Sequence, residues 1–369
     1  MNRRTVLLAL ISVSLAACKG DDPAGGGSLP GSKGGAVAAS GEVMLTGAGA
    51  TFPYPLYTKW ISEFTKTRKD VKINYQSIGS GGGIRQITER TVDFGASDAP
   101  MSDEQLSKAA GLLHIPTCLG AVAVTYNVEG LESGLKLTPE VLAGIFLGKI
   151  KSWDDPAIKA DNPDAKLPSK AIASVHRSDG SGTTKIFVDY LTAVSPDWKS
   201  GPGTGTSVNW PSGLGAKGNE GVAGQVKGAS GAIGYVELAY AIQNKMAFAA
   251  IKNQSGKFVL PSLESTTAAG AGGSAKMPDD LRVSIVNAEG ETSYPIAGFT
   301  YVLLYTEQKD AQKGKVLVDF LDWATHDGQK LTVDLHYAPL PAEIVKKAEA
   351  KLATVKGPDG KALLTAPAK

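Results

Sequence analysis

Three short stretches of this 369-residue chain set a glycine-bearing turn and a hydroxyl residue directly before a helical pattern. They are Gly47-Ala48-Gly49-Ala50-Thr51-Phe52, Gly79-Ser80-Gly81-Gly82-Gly83 and Asp179-Gly180-Ser181-Gly182-Thr183-Thr184. A helix N-terminus leaves backbone N–H groups unpaired and carries partial positive charge, so each stretch is a candidate donor site for an oxyanion. Glycine lets an oxygen reach the backbone, and serine or threonine adds a donor without bulk. Any one of the three also reads as a plain helix cap; their weight depends on convergence. Arg177 stands just before the third turn, with Asp179 two residues on. That pair suits bidentate oxyanion recognition by a guanidinium held in place by an acid, or a surface ion pair. Asp98, in Phe94-Gly95-Ala96-Ser97-Asp98-Ala99-Pro100, follows a strand pattern and precedes a helical one, where a loop or capping aspartate is the plainer reading.

Enzyme signatures are poor. Neither Ser80 nor Ser181 lies in G-x-S-x-G, and Gly180 to Lys185 lacks the spacing of a G-x-x-x-x-G-K-[ST] phosphate loop. His114, His176, His326 and His336 show no H-E-x-x-H spacing and no cysteine pair accompanies them, so no metal and no cofactor is expected. His176, beside Arg177, reads as a rim or packing histidine.

The elements that must carry these turns alternate between strand and helix patterns, which argues for an α/β fold. Strands are expected at Val71–Tyr75, Val92–Ala96, Ala121–Tyr126, Val283–Val286 and Tyr301–Tyr305. Leu56, Tyr57, Trp60, Ile61 and Phe64 fall at helical spacing after Thr51-Phe52, with Pro53 and Pro55 near the helix start. Further helices are expected at Ile84–Arg90, Ser102–Ala110, Thr183–Leu191, Val316–Ala324 and Ala342–Ala353, with Ser102 and Gln105 spaced as a capping box. Residues 201–231 are rich in glycine, and Ala268–Lys276 reads as a small-residue surface loop.

Met1 to Cys18 reads as an export signal, with Arg3 and Arg4 as the basic segment, an apolar run from Thr5 to Leu15, and Leu15-Ala16-Ala17-Cys18 closing it. That ending resembles the lipobox of bacterial lipoproteins, in which the cysteine becomes the lipidated first residue. Residues 18–42 then read as a flexible tether, and an extracytoplasmic protein held to the membrane by Cys18 is expected. With Cys18 committed, Cys118 has no intramolecular partner; it sits in an apolar run and reads as a buried small hydrophobe. Lys and Arg number 38 against 36 Asp and Glu, and without residues 1–17 the count is 36 against 36. A neutral chain offers no broad field for nucleic acid. Its 42% hydrophobic content and mean hydropathy of -0.06 fit a globular protein and exclude wholesale disorder or a polytopic membrane protein.

Taken together and in order, GAGATFPYPLYTKW (47–60), INYQSIGSGGGIRQI (73–87), TVDFGASDAPMSDEQL (91–106), LGKIKSWDDPAI (147–158), VHRSDGSGTTKIF (175–187) and GAIGYVELAYA (231–241) closely resemble the phosphate-binding proteins of bacterial phosphate ABC transporters. The resemblance covers roughly Leu45 to Pro341. It implies a two-domain periplasmic-binding-protein-like fold of type II, with a hinge and a central cleft. Domain I would comprise 43–117 and 293–369, and domain II 118–292, after a 1–17 signal peptide and the 18–42 tether. Carried over by position, it implies phosphate contacts from Thr51, Phe52, Ser80, Asp98, Arg177, Ser181, Gly182 and Thr183, with Asp179 behind Arg177. Gly81 departs from the second serine common in relatives, and no matched ligand residue is lost. The implied partners are inorganic phosphate and a permease with its ATPase, for a receptor that is monomeric and catalyses nothing. A binder of another oxyanion such as sulfate or molybdate, a phosphomonoesterase and a structural envelope lipoprotein are the alternatives; Asp98, as an acceptor for a ligand proton, argues against fully deprotonated anions.

Overall fold

A computed structural model describes residues 41–274 and 276–364; the export signal, Cys18 and the tether through residue 40 lie outside the described residues. The chain runs through β1 (Val43–Gly49), α1 (Tyr54–Thr67), β2 (Val71–Ser77), α2 (Ser80–Thr88), β3 (Phe94–Ser97), α3 (Asp103–Ser107) and the long β4 (Leu112–Asn127). There follow β5 (Lys136–Leu137), α4 (Pro139–Phe146), α5 (Pro156–Asp161), β6 (Ala173–Arg177), α6 (Gly182–Val194), α7 (Pro196–Ser200), β7 (Leu214–Ala216) and α8 (Gly218–Gly228). Then come β8 (Ala232–Glu237), α9 (Leu238–Gln243), β9 (Ala247–Phe248), β10 (Ala250–Lys252), β11 (Phe258–Val259) and α10 (Leu263–Ser274). The chain returns through β12 (Ala297–Tyr305), α11 (Ala311–Thr325), two short 3-10 turns and α12 (Ala342–Leu352).

Local sequence accounts for much of this. In α1, Leu56, Tyr57, Trp60 and Phe64 form the buried face, and proline occupies the first turn, where a missing N–H costs no helical bond. At α3 the capping box is complete: Ser102 Oγ accepts from Gln105 N at 3.2 Å and Gln105 Oε1 from Ser102 N at 2.9 Å. Strands β4, β8 and β12 are buried along almost their whole length, as near-continuous apolar runs must be when both sheet faces are covered.

One sheet runs in the order β2-β1-β3-β12-β4-β8-β6-β7, with β9 also beside β4; β5, β10 and β11 make a second, small sheet. Residues 112–121 of β4 pair with β12, and residues 122–127 pair with β8, so one strand serves both halves of the molecule. The returning chain touches the same point, since Val122 N donates to Ile296 O at 2.8 Å and Tyr294 Oη donates to Val122 O at 2.8 Å.

Three expectations need correction. Residues 268–274 are not a loop but the second half of α10, whose small residues let it approach the sheet: a Cβ at Gly270 would come within 2.5 Å of Leu119 Cδ2. Val283–Val286 is not a strand. Tyr301 Oη holds both Val283 N and Val283 O, and Ser284 Oγ accepts from Val286 N, so side chains replace the ladder. Finally, β4 begins well before Ala121; Pro116 and Thr117, which break the sequence pattern, sit opposite a register shift at Thr300/Tyr301, where a residue without an N–H is tolerated.

Candidate functional site

The three glycine-bearing turns converge at the starts of α1, α2 and α6. Ser80 Oγ, at the head of α2, accepts from Gly182 N of α6 at 3.0 Å, and Gly81 N donates to Gly180 O at 2.8 Å. These contacts cross between chain segments that belong to opposite halves of the sheet. Gly79 takes φ +88, a conformation glycine adopts freely, and a Cβ there would meet Gly180 O at 2.7 Å. Gly182 is equally constrained, because a Cβ on it would lie 2.5 Å from Asp98 Oδ2 and 2.6 Å from Ser80 Oγ.

Asp98 follows β3 and is 3% exposed. Its Oδ1 accepts from Thr300 Oγ1 of β12 at 2.8 Å, and its Oδ2 faces Ser80 Oγ at 3.4 Å. Burial pushes its carboxyl pKa up to about 7; the Thr300 hydrogen bond, the Arg177 charge and the Ser80 hydroxyl restrain the rise. Asp98 also lines a cavity of about 170 Å³ shared with Pro100, Lys185, Ile186, Arg282 and Phe299.

Arg177 ends β6, and its side chain is 1% exposed. Its Nε and Nη2 reach Asp179 Oδ1 and Oδ2 at 2.8 and 2.6 Å, a bidentate pair, while Nη1 lies 3.4 Å from Thr183 Oγ1. Burial pushes the Asp179 carboxyl up, but the guanidinium's hydrogen bonds and charge, with the Gly218 N–H at 3.0 Å, outweigh this and hold it below the ordinary aspartate value. The pair fixes the guanidinium plane, so the arrangement is not the solvated surface bridge that the sequence left open. Ser181 caps α6 by accepting from Thr184 N at 3.0 Å. Thr184 Oγ1 in turn pairs with Tyr235 Oη at 2.7 Å, and that phenol accepts from Arg177 N.

Phe52 is fully buried; its carbonyl accepts from Tyr337 Oη at 2.7 Å, and the carbonyl of Thr51 accepts from Tyr240 Oη at 2.6 Å. Two tyrosines from distant parts of the chain therefore clamp this turn. His176 is a packing residue, stacked on Trp210 at 4.7 Å between ring centroids. Cys118 is buried and free, and burial pushes its thiol well above the ordinary range.

Sequence reasoning passed over Asn219 and Thr300. Asn219 is the second residue of α8, a fourth glycine-bearing helix start, and the positive φ of Gly218 (+74) repeats the turn signal with an amide in place of a hydroxyl. Thr300 lies in an apolar strand whose register alone brings it to Asp98, so no local signal marks it. All eight predicted contact residues, with Asp179, lie in this one cluster, and each is buried or nearly so. Chemically it is a buried cradle of N–H and O–H donors around one guanidinium and one carboxyl. Such a set solvates an anion that itself carries a hydrogen.

Residues 36–327 match the family model of a PBP superfamily domain. The chain is 49% identical over 321 residues to the phosphate-binding protein PstS of Pasteurella multocida, covering 86% of this chain and 93% of that one. It is 48% identical over 310 residues to the phosphate-binding protein PstS of Xylella fastidiosa, covering 84% and 85%. Among solved structures, the phosphate-binding protein from Stenotrophomonas maltophilia superposes with a TM-score of 0.65 at 22% identity, covering 88% of this chain and 99% of that one; this likeness is one of fold.

Proposed function

From the premise that the chain belongs to the phosphate-binding proteins of the PBP superfamily, we propose that it captures inorganic phosphate outside the cytoplasmic membrane and passes it to the permease of an ABC transporter. Domain closure does the capturing, and the chain performs no catalysis. The observation that carries the proposal is Asp98, a buried acceptor set among donors from both halves of the sheet.

A dianion taken from water loses hydration worth many kcal/mol, so it needs a complete shell of aimed donors. Thr51, Phe52, Ser80, Ser181, Gly182 and Thr183 offer hydroxyl and backbone donors at helix starts, and Arg177 supplies one full positive charge. An entering oxyanion exchanges the Ser80–Gly182 bond for bonds to its own oxygens. Phosphate near neutral pH keeps at least one hydrogen, which it donates in a hydrogen bond to the ionised form of Asp98, the carboxyl giving up its own proton on binding. Sulfate has none, and against ionised Asp98 it would set acceptor against acceptor in a desolvated cleft at a cost on the order of several kcal/mol, a rejection that fades as pH falls below about 7 and the carboxyl takes up its own proton.

The proposed hinge at the 117/118 and 292/293 boundaries is supported by the change of partners in β4 at Ala121–Val122 and by the bond of the returning chain at Ile296 to Val122. A ligand that bonds to both halves favours the closed form by its differential affinity. Anchoring through a lipidated Cys18 rests on the Leu15-Ala16-Ala17-Cys18 sequence.

Equilibrium dialysis with radiolabelled orthophosphate tests the function. Purified protein stripped of endogenous phosphate should retain the label at micromolar concentration and release it to excess cold phosphate but not to excess sulfate. Failure to retain it, or equal displacement by sulfate, overturns the proposal.

A further inference from the structure

Asn219 sits at the centre of the cradle and is fully buried. Its Oδ1 accepts from Glu237 N at 2.9 Å. Because that neighbour is an N–H donor, the amide has only one tenable orientation, and both hydrogens of Nδ2 face the other way. One goes to Thr51 Oγ1 at 2.8 Å and the other to Thr183 Oγ1 at 3.1 Å. The backbone N of Asn219 also donates to Thr51 Oγ1, at 3.2 Å.

A hydroxyl has two lone pairs and one hydrogen. Both lone pairs of Thr51 Oγ1 are taken by Asn219 donors, and those of Thr183 Oγ1 by Asn219 and Arg177 Nη1. None of these partners can accept a hydrogen from the hydroxyl. The two O–H groups are thereby committed to donate elsewhere, which in this cradle means to a bound anion. We infer that Asn219 is a positioning residue that polarises Thr51 and Thr183 as obligate donors and at the same time ties the turn before α1 to α6 across the cleft.

The inference rests on the phosphate reading and adds a discriminating device to it: a water molecule gains as readily from hydroxyls that accept, whereas an oxyanion gains only from hydroxyls that donate. The effect is organised before the ligand arrives, so its loss should surface as faster phosphate release.

The test is a thermodynamic cycle read by phosphate dissociation constants and stopped-flow release rates. Asn219→Ala should weaken phosphate binding about 10- to 100-fold, the range for bonds to a charged acceptor, chiefly through a faster off-rate. In a Thr51→Val/Thr183→Val background the same substitution should change affinity by less than about twofold, because the hydroxyls through which it acts are gone. Asn219→Ser, which leaves an oxygen for the Glu237 N–H, replaces Asn219→Ala in the cycle if the latter does not fold. Equal losses in both backgrounds would mean that Asn219 merely packs, and would overturn the inference. Wild-type protein that retains no phosphate would instead overturn the functional reading together with it.

Discussion

At the residue scale the site turns on a carboxyl that burial drives toward neutrality. With its folded pKa near 7 against an ordinary 3.8, the native state holds a proton that the unfolded chain has released. The associated stability is therefore fully present below about pH 4 and is lost as pH rises to about 7, a span of about 3 units or about 4 kcal/mol. Asp98→Asn is neutral throughout, so the phosphate-free variant should gain on wild type between pH 4 and 7 in denaturant titrations and hold a constant advantage above. Its amide also presents hydrogens where the carboxylate presents lone pairs, so sulfate affinity should rise roughly 10- to 100-fold as phosphate affinity falls. Unchanged discrimination by Asp98→Asn would remove Asp98 as the selectivity element. Arg177 calls for a paired experiment: Arg177→Ala strands Asp179, which is 13% exposed, and should cost about 3–5 kcal/mol. Adding Asp179→Asn should restore much of the melting temperature without restoring phosphate binding. Recovery of both would make the pair purely architectural. The chemistry-bearing residue types were legible because glycine, hydroxyl and arginine cluster locally; Thr300 was not, because only strand register delivers it to Asp98.

At the scale of elements, four helix starts meet, and glycine is what lets them. Gly182 opens α6 with its Cα against the Asp98 carboxyl and Ser80 Oγ, which belong to the other half. Gly182→Ala introduces a methyl group 2.5 Å from Asp98 Oδ2, and the inexpensive relief is for the halves to stand slightly apart. Phosphate affinity should drop at least about tenfold, since losing one bond to a charged partner is worth that much, while the phosphate-free melting temperature stays within about 1.5 °C, a change of under about 1 kcal/mol. A large stability loss would show that closure is part of the ligand-free fold. Elements with strong local patterns, such as α1 and the α3 capping box, were readable from sequence for the same reason that they form: their apolar faces and caps are local. By contrast, α10 was hidden because its Ala and Gly residues carry meaning only against Leu119 and the sheet, and β4 was shortened because Pro116 is tolerated beside a bulge at Thr117 that only its pairing with the distant β12 reveals.

For the whole molecule the decisive feature is that a single long strand and one returning segment link the halves. Val122 holds both, through Ile296 O and Tyr294 Oη, and a rotation about this point, as proposed, would open the contacts between Ser80 and Gly182. On the proposed reading closure costs little by itself, and a ligand that bonds to both sides would set the equilibrium. Phosphate at about 100 times its dissociation constant should add about 2.7 kcal/mol to stability. Small-angle scattering should register the same event as a fall in radius of gyration. Arsenate, which is protonated like phosphate at neutral pH, should produce both effects in part, and sulfate neither. The two readouts must move together in titration, because a ligand that stabilised without compacting the protein would be bound by one half alone or by halves already closed. That outcome would sever the link between the strand crossing and capture, leaving the cradle as a site but not as a trap.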